Sequence, residues 1–384
     1  MAYDALKYGK LFPKSNHGLI YKQRGIAQTQ SVDKDPDSYS CFGYHPYFGY
    51  NNNCNLTSEK GFLKEHTLKE NQQQKNEKKL RILILGGSVA SHLSRRTSIE
   101  KELERQLKMS EKLSSNFPGG VSVFNAAHGG YKQPQQLIIL NTLLSAGYEF
   151  EGVVNVAGFN EIALPIAENF PQKISILLPR SQSLLESKEH ILHGPYRHFI
   201  KFANLHPLTR IVAHAVAQEY SKHDAQTQLK PYQFDPVDST KDAAIYAIQI
   251  WKKASYLAYN STSAQGGAYL EYIQPNQYYQ NSKKFTQKEK LEAISSTKKQ
   301  PYRKPIEDYY KTVQISNFGY LPRENIKDGR LIYKDTSTDI YNDDCCHMNS
   351  YGMELLAKDI SNSLLSLIEA RGRHKPVKAG RRDE

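Results

Sequence analysis

Long apolar runs are what this chain lacks most plainly. Nowhere do 18 apolar residues follow one another, so no segment reads as a membrane-spanning helix. Met1 to Lys10 has no apolar stretch of the kind a secretory signal needs. Taken as written, the chain reads as a soluble cytoplasmic protein; an exported protein whose signal or anchor has been removed reads the same. Cysteine is scarce. Cys41, Cys54, Cys345 and Cys346 are the only four, and no pair has zinc-finger spacing. Their number leaves the redox compartment open, and Cys41 with Cys54 fits either a bridge or two free thiols. Apolar residues make up only 39% of the chain and mean hydropathy is −0.64. The core is therefore expected in part of the sequence, with polar insertions outside it.

With 384 residues the chain is long enough for one large α/β domain with insertions, or for two small domains. Lys and Arg number 51 against 39 Asp and Glu, a net charge of +12. Such a surface favours acidic partners, but it equally suits a plain soluble protein. The basic clusters at Lys75–Arg81, Lys298–Lys304 and Arg371–Arg382 accompany no nucleic-acid-binding motif, so nucleic acid is set aside as a partner.

The hydrophobic pattern places a core after residues 1–80, an irregular, aromatic-rich N-terminal segment (1–50) and an Asn-, Gln- and Lys-rich stretch (51–80) expected to be a flexible polar connection. Ile82 to Leu85 is a short continuous apolar run, the signature of a strand buried on both faces. Ile99, Leu103 and Leu107 follow at helical spacing, then a strand at Val121–Phe124. Pro134 opens a helix that stops at Gly147, and Val153–Ala157 is a third strand. This alternation argues for a parallel sheet with right-handed crossovers. Residues 238–260 read as helical and Ala268–Ile273 as a fourth strand. Leu331–Tyr333 is the candidate for the last strand. Residues 165–265 and 276–330 read as insertions, with 276–305 expected to be mobile. Asn349 or Ser350 caps a final helix with a stripe of Met353, Leu356, Ile360, Leu364 and Leu367. The tail, 371–384, is basic.

Two motifs at opposite ends carry the chemistry. Leu85-Gly86-Gly87-Ser88 puts a serine where a buried strand turns into a helix, and Asp344-Cys345-Cys346-His347 puts a carboxylate three residues before a histidine. A serine hydroxyl is a poor nucleophile until a base takes its proton. His347 is the candidate base and Asp344 the candidate group that orients it. The Ser88 N–H, the Gly130 N–H and the Asn160 side-chain amide are candidate donors to a developing oxyanion. Ser88, Gly130 and Asn160 each follow an expected strand end, where sites of open α/β sheets lie.

Together these blocks resemble the SGNH/GDSL hydrolases. Leu85-Gly86-Gly87-Ser88-Val89-Ala90 is similar to the family's Gly-Asp-Ser block. Asn125-Ala126-Ala127-His128-Gly129-Gly130 resembles the second block, Gly158-Phe159-Asn160-Glu161 the third, and Asp344 to His347 the Asp-x-x-His block. Longer strings, Gly130 to Leu137 and Gly158 to Pro165, look like an uncharacterised bacterial branch. The resemblance implies a three-layer α/β/α, flavodoxin-like domain over 81–370 with a parallel sheet of about five strands. It implies a serine-dependent ester hydrolase with triad Ser88, Asp344 and His347, an oxyanion hole of Ser88, Gly130 and Asn160, and neither cofactor nor metal. The expected partner is a small ester or an acylated glycan or lipid. Gly87 stands where the family has Asp, and Glu161 stands where it has Asp after the Asn.

Blander readings stand beside these. Ser88 is also a plausible helix cap, Asp344 and His347 a surface ion pair, Asn160 a loop brace, and His128 a structural loop histidine. Cys345-Cys346 invites a zinc reading, disfavoured because adjacent cysteines do not easily face one ion, and a Cys–His nucleophile, for which no strand-to-helix elbow exists. The tyrosines from Tyr269 to Tyr279 read as a cleft rim or as plain surface. Two functional alternatives remain: an O-acyltransferase using the same site, and a non-catalytic binding protein on a hydrolase fold.

Overall fold

The computed structural model describes residues 42–45, 49–52, 68–95, 99–180 and 235–371. The N-terminal hairpin pairs β1 (Phe42–His45) with β2 (Gly49–Asn52). Cys41, Cys54 and nearly all of the basic tail lie outside the described residues, as does most of the expected 165–265 insertion.

The main sheet follows from short apolar runs that only a doubly covered strand can bury. In β3 (Leu80–Gly86) all seven residues are buried, and β4 (Val121–Asn125), β5 (Gly152–Ala157) and β6 (Ala268–Ile273) are buried throughout. With β7 (Ile326–Asp328) they form a five-stranded, all-parallel sheet in the order β4-β3-β5-β6-β7. Counted within the sheet this is 2-1-3-4-5, the flavodoxin-like order. Strand order reverses between β3 and β5, so a crevice opens beyond their carboxyl ends.

Helices cover both faces. One layer holds α2 (Ser88–Arg95), α3 (Ile99–Met109) and α10 (Ser350–Arg371), which pack on one another and on β3 to β6. The other holds α5 (Gln135–Ser145) and α7 (Thr240–Ala264), which touch each other, β3 and β6. The helix α4 (Glu111–Asn116) links α3 to β4, α6 (Phe159–Leu164) follows β5, and α9 (Arg303–Tyr309) lies between β6 and β7. Pro134 stands at the N-cap of α5, and Gly147, at φ 91°, closes its C-terminus. The apolar stripe expected on the last helix packs inward: Met353, Leu356, Ile360 and Leu364 are fully buried and Leu367 is partly so.

Two charged groups buried in this core are partnered. Glu271 on β6 is wholly buried and accepts hydrogen bonds from Trp251 Nε1 (2.8 Å), the Tyr269 hydroxyl (2.5 Å) and Asn155 Nδ2 (3.1 Å). Arg81, buried on β3, is forked onto Glu151 at 2.5 and 3.1 Å. It also holds α1 (Leu68–Asn76): Arg81 Nη1 donates to Asn71 Oδ1 at 3.4 Å, and Asn71 Nδ2 donates to Glu149 O at 3.0 Å.

Four expectations need correction. The polar stretch 51–80 contains α1, held by the buried Asn71 despite its lack of an apolar face. The last strand is β7, not Leu331–Tyr333. That segment is wound into turns, with Ile332 N donating to Gly329 O (3.1 Å) and Lys334 N to Leu331 O (3.0 Å). Three apolar residues satisfied a strand pattern there, but Tyr333 is buried by donating to Gly352 O at the start of α10 (2.7 Å). The stretch 276–305 is packed rather than mobile. It contains α8 (Gln287–Glu292) and a buried ion pair, Lys283 Nζ to Glu289 Oε2, at 3.0 Å. Finally, Tyr269 and Tyr272 are wholly buried, so of this tyrosine-rich stretch only Tyr278 and Tyr279 line a cavity, together with Ile306, Glu307 and Lys311.

Leu364 is the centre of the α10 contact with the sheet. Leu364→Ala is expected to lower unfolding stability by about 2–5 kcal/mol in urea denaturation, through lost burial plus the cavity left behind.

Candidate active site

Three loops meet beyond the carboxyl ends of β3, β4 and β5, and each is shaped by a glycine or an asparagine. Gly86 ends β3 at φ 140°; a Cβ there would lie 2.3 Å from Val156 O on β5. Only glycine lets the chain turn so tightly against the neighbouring strand. A Cβ on Gly87 would lie 2.2 Å from Asn160 Nδ2, so the missing side chain is what seats the Asn160 amide beside Ser88. Ser88 then opens α2, half-buried, with its N–H among the first of the helix that lack an internal partner.

The second loop is tied to the first through Asn125. Its Oδ1 accepts from Ala127 N (3.0 Å), and its Nδ2 donates to Ala90 O (3.0 Å) and Ser94 Oγ (3.0 Å) on α2. Beyond it, Tyr131 N donates to His128 O (3.1 Å), closing a turn with Gly130 at φ 78° in its third position, where glycine is favoured. His128 stays in that turn, with Nδ1 3.0 Å from Gly129 O and its ring 5.1 Å from that of Tyr131. Asn160 Nδ2 donates to Tyr131 O at 2.7 Å, joining the second loop to the third.

Glu161 ties the same loops from below. Its buried carboxylate accepts from Gly158 N (2.6 Å), Gln136 Nε2 (3.0 Å) and Gln133 N (3.3 Å). Burial raises its pKa, and those three donors hold it down only in part. The extra methylene over Asp gives the side chain its reach into the loop before α5. Lys132 beside it is also fully buried and donates to Ile176 O. Burial pulls its pKa down to about 7, against the opposing charges of Glu161, Asp235 and Glu168.

His347 reaches this place from the far end of the chain. Its Nε2 lies 2.7 Å from Ser88 Oγ. Its Nδ1 lies 2.5 Å from Asp343 Oδ2. An ionised carboxylate only accepts, so Nδ1 carries the proton and Nε2 is left to accept from the serine hydroxyl. The acid is thus Asp343, not Asp344 as the Asp-x-x-His spacing suggested. The reason is local. Asp343 Oδ1 accepts from the backbone N–H groups of Cys345, Cys346 and His347 at 3.0, 3.0 and 3.1 Å, curling the chain around that carboxylate. The curl brings residue i+4, not i+3, over it. Asp344 turns the other way and accepts from Ser295 Oγ (2.5 Å) and Gln300 Nε2 (3.1 Å). Burial works against ionisation of Asp343, but the hydrogen bond and charge of His347 and the backbone donors outweigh it and hold the carboxyl at about 2.

Other groups stand nearby. His92, one turn along α2 from Ser88, has its ring centroid 5.0 Å from that of His347. Cys345 and Cys346 have their sulfurs 3.1 Å apart. The Cys346 thiol and burial together push the Cys345 thiol well up, which makes it a weak nucleophile. Among the described residues, no group of three His, Cys, Asp or Glu side chains could hold a metal ion, so the zinc reading finds no ligand set.

Ser88, His347 and Asn160 therefore converge, with Gly129 against the Ser88 side chain (a Cβ there would lie 4.0 Å from Ser88 Cβ) and Gly130 next to it in the turn, while Asp344 leaves the group and Asp343 joins it. The missed residues had little signal. Asp343 and Asp344 are adjacent and chemically identical in the sequence, and only the backbone curl tells them apart. The contacts of Glu161 and Lys132 are long-range. Chemically, the set can activate a hydroxyl for attack on an acyl carbon, with several N–H donors close by. No protein-family model matches this chain, and no curated protein matches it.

Two expectations follow. Asp343→Asn should slow fluorophosphonate labelling of Ser88 by about 10⁴-fold, because the imidazole loses its correct tautomer. Asp344→Asn should slow it by no more than about tenfold, the worth of one altered hydrogen bond. Lys132 should also make stability depend on pH. Its folded pKa of about 7 lies below the roughly 10.4 of an unfolded lysine, so between these values the unfolded chain holds a proton that the folded one has shed. Unfolding stability should therefore rise from pH 7 toward pH 10, and Lys132→Met should flatten that rise in thermal melts at matched ionic strength.

Proposed function

We propose that this chain is a serine-dependent ester hydrolase of the SGNH/GDSL type. The observation that carries the reading is the unbroken line from Ser88 Oγ through His347 to Asp343, at 2.7 and 2.5 Å, set at the switch point of a parallel sheet. Similar lines recur in proteins of unrelated fold that perform acyl transfer, so geometry counts for more here than sequence position.

The steps follow from the groups at hand. Ser88 Oγ attacks the carbonyl carbon of an ester while its proton passes to His347 Nε2. Asp343 holds Nδ1–H and stabilises the imidazolium that forms. The tetrahedral oxyanion takes hydrogen bonds from the Ser88 and Gly130 N–H groups and from Asn160 Nδ2. His347 gives its proton to the departing alkoxide oxygen, leaving an acyl group on Ser88. Water then attacks that acyl carbon through the same steps, releasing the acid and restoring the serine. Asp343, held at about 2, stays ionised near neutral pH. An alcohol acceptor in place of water would make the same intermediate a transferase. The substrate class that suits the reading is a small ester or an O-acylated glycan or lipid.

The test is a panel of chromogenic esters from acetate to long acyl chains, with active-site labelling by a fluorophosphonate and product analysis with and without a sugar acceptor. Wild type should turn over at least one ester and take up one equivalent of label on Ser88. Ser88→Ala should lose both, with turnover down by about 10³-fold or more, and Asn160→Ala should lose about 10²-fold. Equal labelling of wild type and Ser88→Ala, or no turnover of any ester, would count against the assignment.

A further inference from the structure

We infer that Asn276, Gln277 and Tyr278, on the loop that leaves β6, are positioning residues for the His347 base. They do this by holding three consecutive carbonyls of the turn that carries Asp343 and His347. The inference rests on the reading of Ser88, His347 and Asp343 as a triad and adds residues that touch none of the reacting atoms.

The contacts run residue by residue. Gln277 Nε2 donates to Asp343 O at 2.9 Å. The Tyr278 hydroxyl donates to Asp344 O at 2.6 Å. Asn276 Nδ2 donates to Cys345 O at 3.1 Å. All three side chains are nearly or fully buried, which limits competition from water for these partly buried bonds. The loop is itself braced: Asn276 Oδ1 accepts from Tyr278 N at 2.8 Å, and Gln277 Nε2 also reaches Ala293 O at 3.3 Å. The turn is thus gripped twice. Its N–H groups converge on Asp343 Oδ1 from inside, and its carbonyls are held by the β6 loop from outside.

The stretch 276–305 closes the grip. Asp344, turned away from the histidine, is fixed by Ser295 and Gln300, and Ser295 N donates to the Tyr278 hydroxyl oxygen at 3.3 Å. Arg303 Nη1 donates to Ser295 O at 2.6 Å. One residue before the turn begins, at Ile340–Tyr341, the backbone N–H groups donate to Glu289 Oε1 at 2.8 and 3.1 Å. Apart from these supports the turn is held by its own carboxylate, by Asn342 N donating to His347 O at 3.0 Å beside the Tyr341–Met348 bridge, and by the helix that follows it. An imidazole must stay within hydrogen-bond reach of both the serine and the acid, and a misplacement of about 1 Å can cost on the order of 10²-fold in rate.

The test uses Tyr278→Phe, which removes one hydroxyl; Asn276→Asp, which keeps the acceptor for Tyr278 N but loses the donor to Cys345 O; and the double variant. Tyr279→Phe, in the same loop, is the control. Three quantities are measured: kcat and KM on the best ester, the rate of fluorophosphonate labelling, and the downfield NMR resonance of the proton between His347 Nδ1 and Asp343. Each single variant should lower kcat and labelling by about tenfold, and the double variant by about a hundredfold, with KM within about twofold of wild type. The resonance should shift or broaden, while melting temperature stays near wild type and the control behaves as wild type. Unchanged kcat, labelling and resonance in the double variant would overturn the inference. So would losses that only track the unfolded fraction. If wild type turns over no ester and takes no label, the functional reading fails, and the resonance alone decides whether this loop positions His347.

Discussion

A single carboxylate, that of Asp343, bears the weight of the site. One oxygen gathers three backbone N–H groups and so shapes the turn; the other orients the imidazole that faces Ser88. Each job depends on the other. Curling the turn around Oδ1 is what swings His347 into reach, and the histidine in turn helps keep the acid ionised in a partly buried place. A carboxylate with four hydrogen bonds to its charged form is well suited to staying anionic. The nearby Asp344 has the same chemistry and none of the geometry.

The sheet supplies the other half. Parallel strands send their carboxyl ends to one edge, and the reversal of order between β3 and β5 separates the helices that follow them. Ser88 and Asn160 sit on either side of that gap, and Gly87 keeps it narrow enough for the amide to reach across. Glu161 then locks the loops after β4 and β5 to each other. Gly87 and Glu161 thus have structural uses: one gives the Asn160 amide its room, and the other provides a long arm to bridge two loops.

Much of this was legible in the sequence, for identifiable reasons. Ile82–Leu85 is apolar on both faces, and Val153–Ala157 and Ala268–Ile273 nearly so, with Asn155 and Glu271 paired to each other inside; such runs have few rival readings. The stripe from Met353 to Leu367 repeats at helical spacing and could only face a core. What escaped were features decided by partners far along the chain. α1 has no apolar stripe and is held by Asn71 and Arg81. The polar 276–305 stretch looks like solvent-facing linker, yet Lys283 and Glu289 neutralise each other inside it, and its side chains serve the turn at 343–347. Leu331–Tyr333 has the letters of a strand, but its backbone is spent on turns. The choice between Asp343 and Asp344 depends on a backbone curl, which periodicity and spacing do not register.

The two groups that meet at 2.7 Å, Ser88 and His347, are 259 residues apart in the chain. During synthesis the hydroxyl therefore emerges long before its imidazole exists. The sheet can grow strand by strand, but the constellation cannot close until the segment before α10 has left the ribosome and docked beside the β6 loop. A half-made chain holds an inert serine, and chemical competence arrives only with the completed tertiary structure.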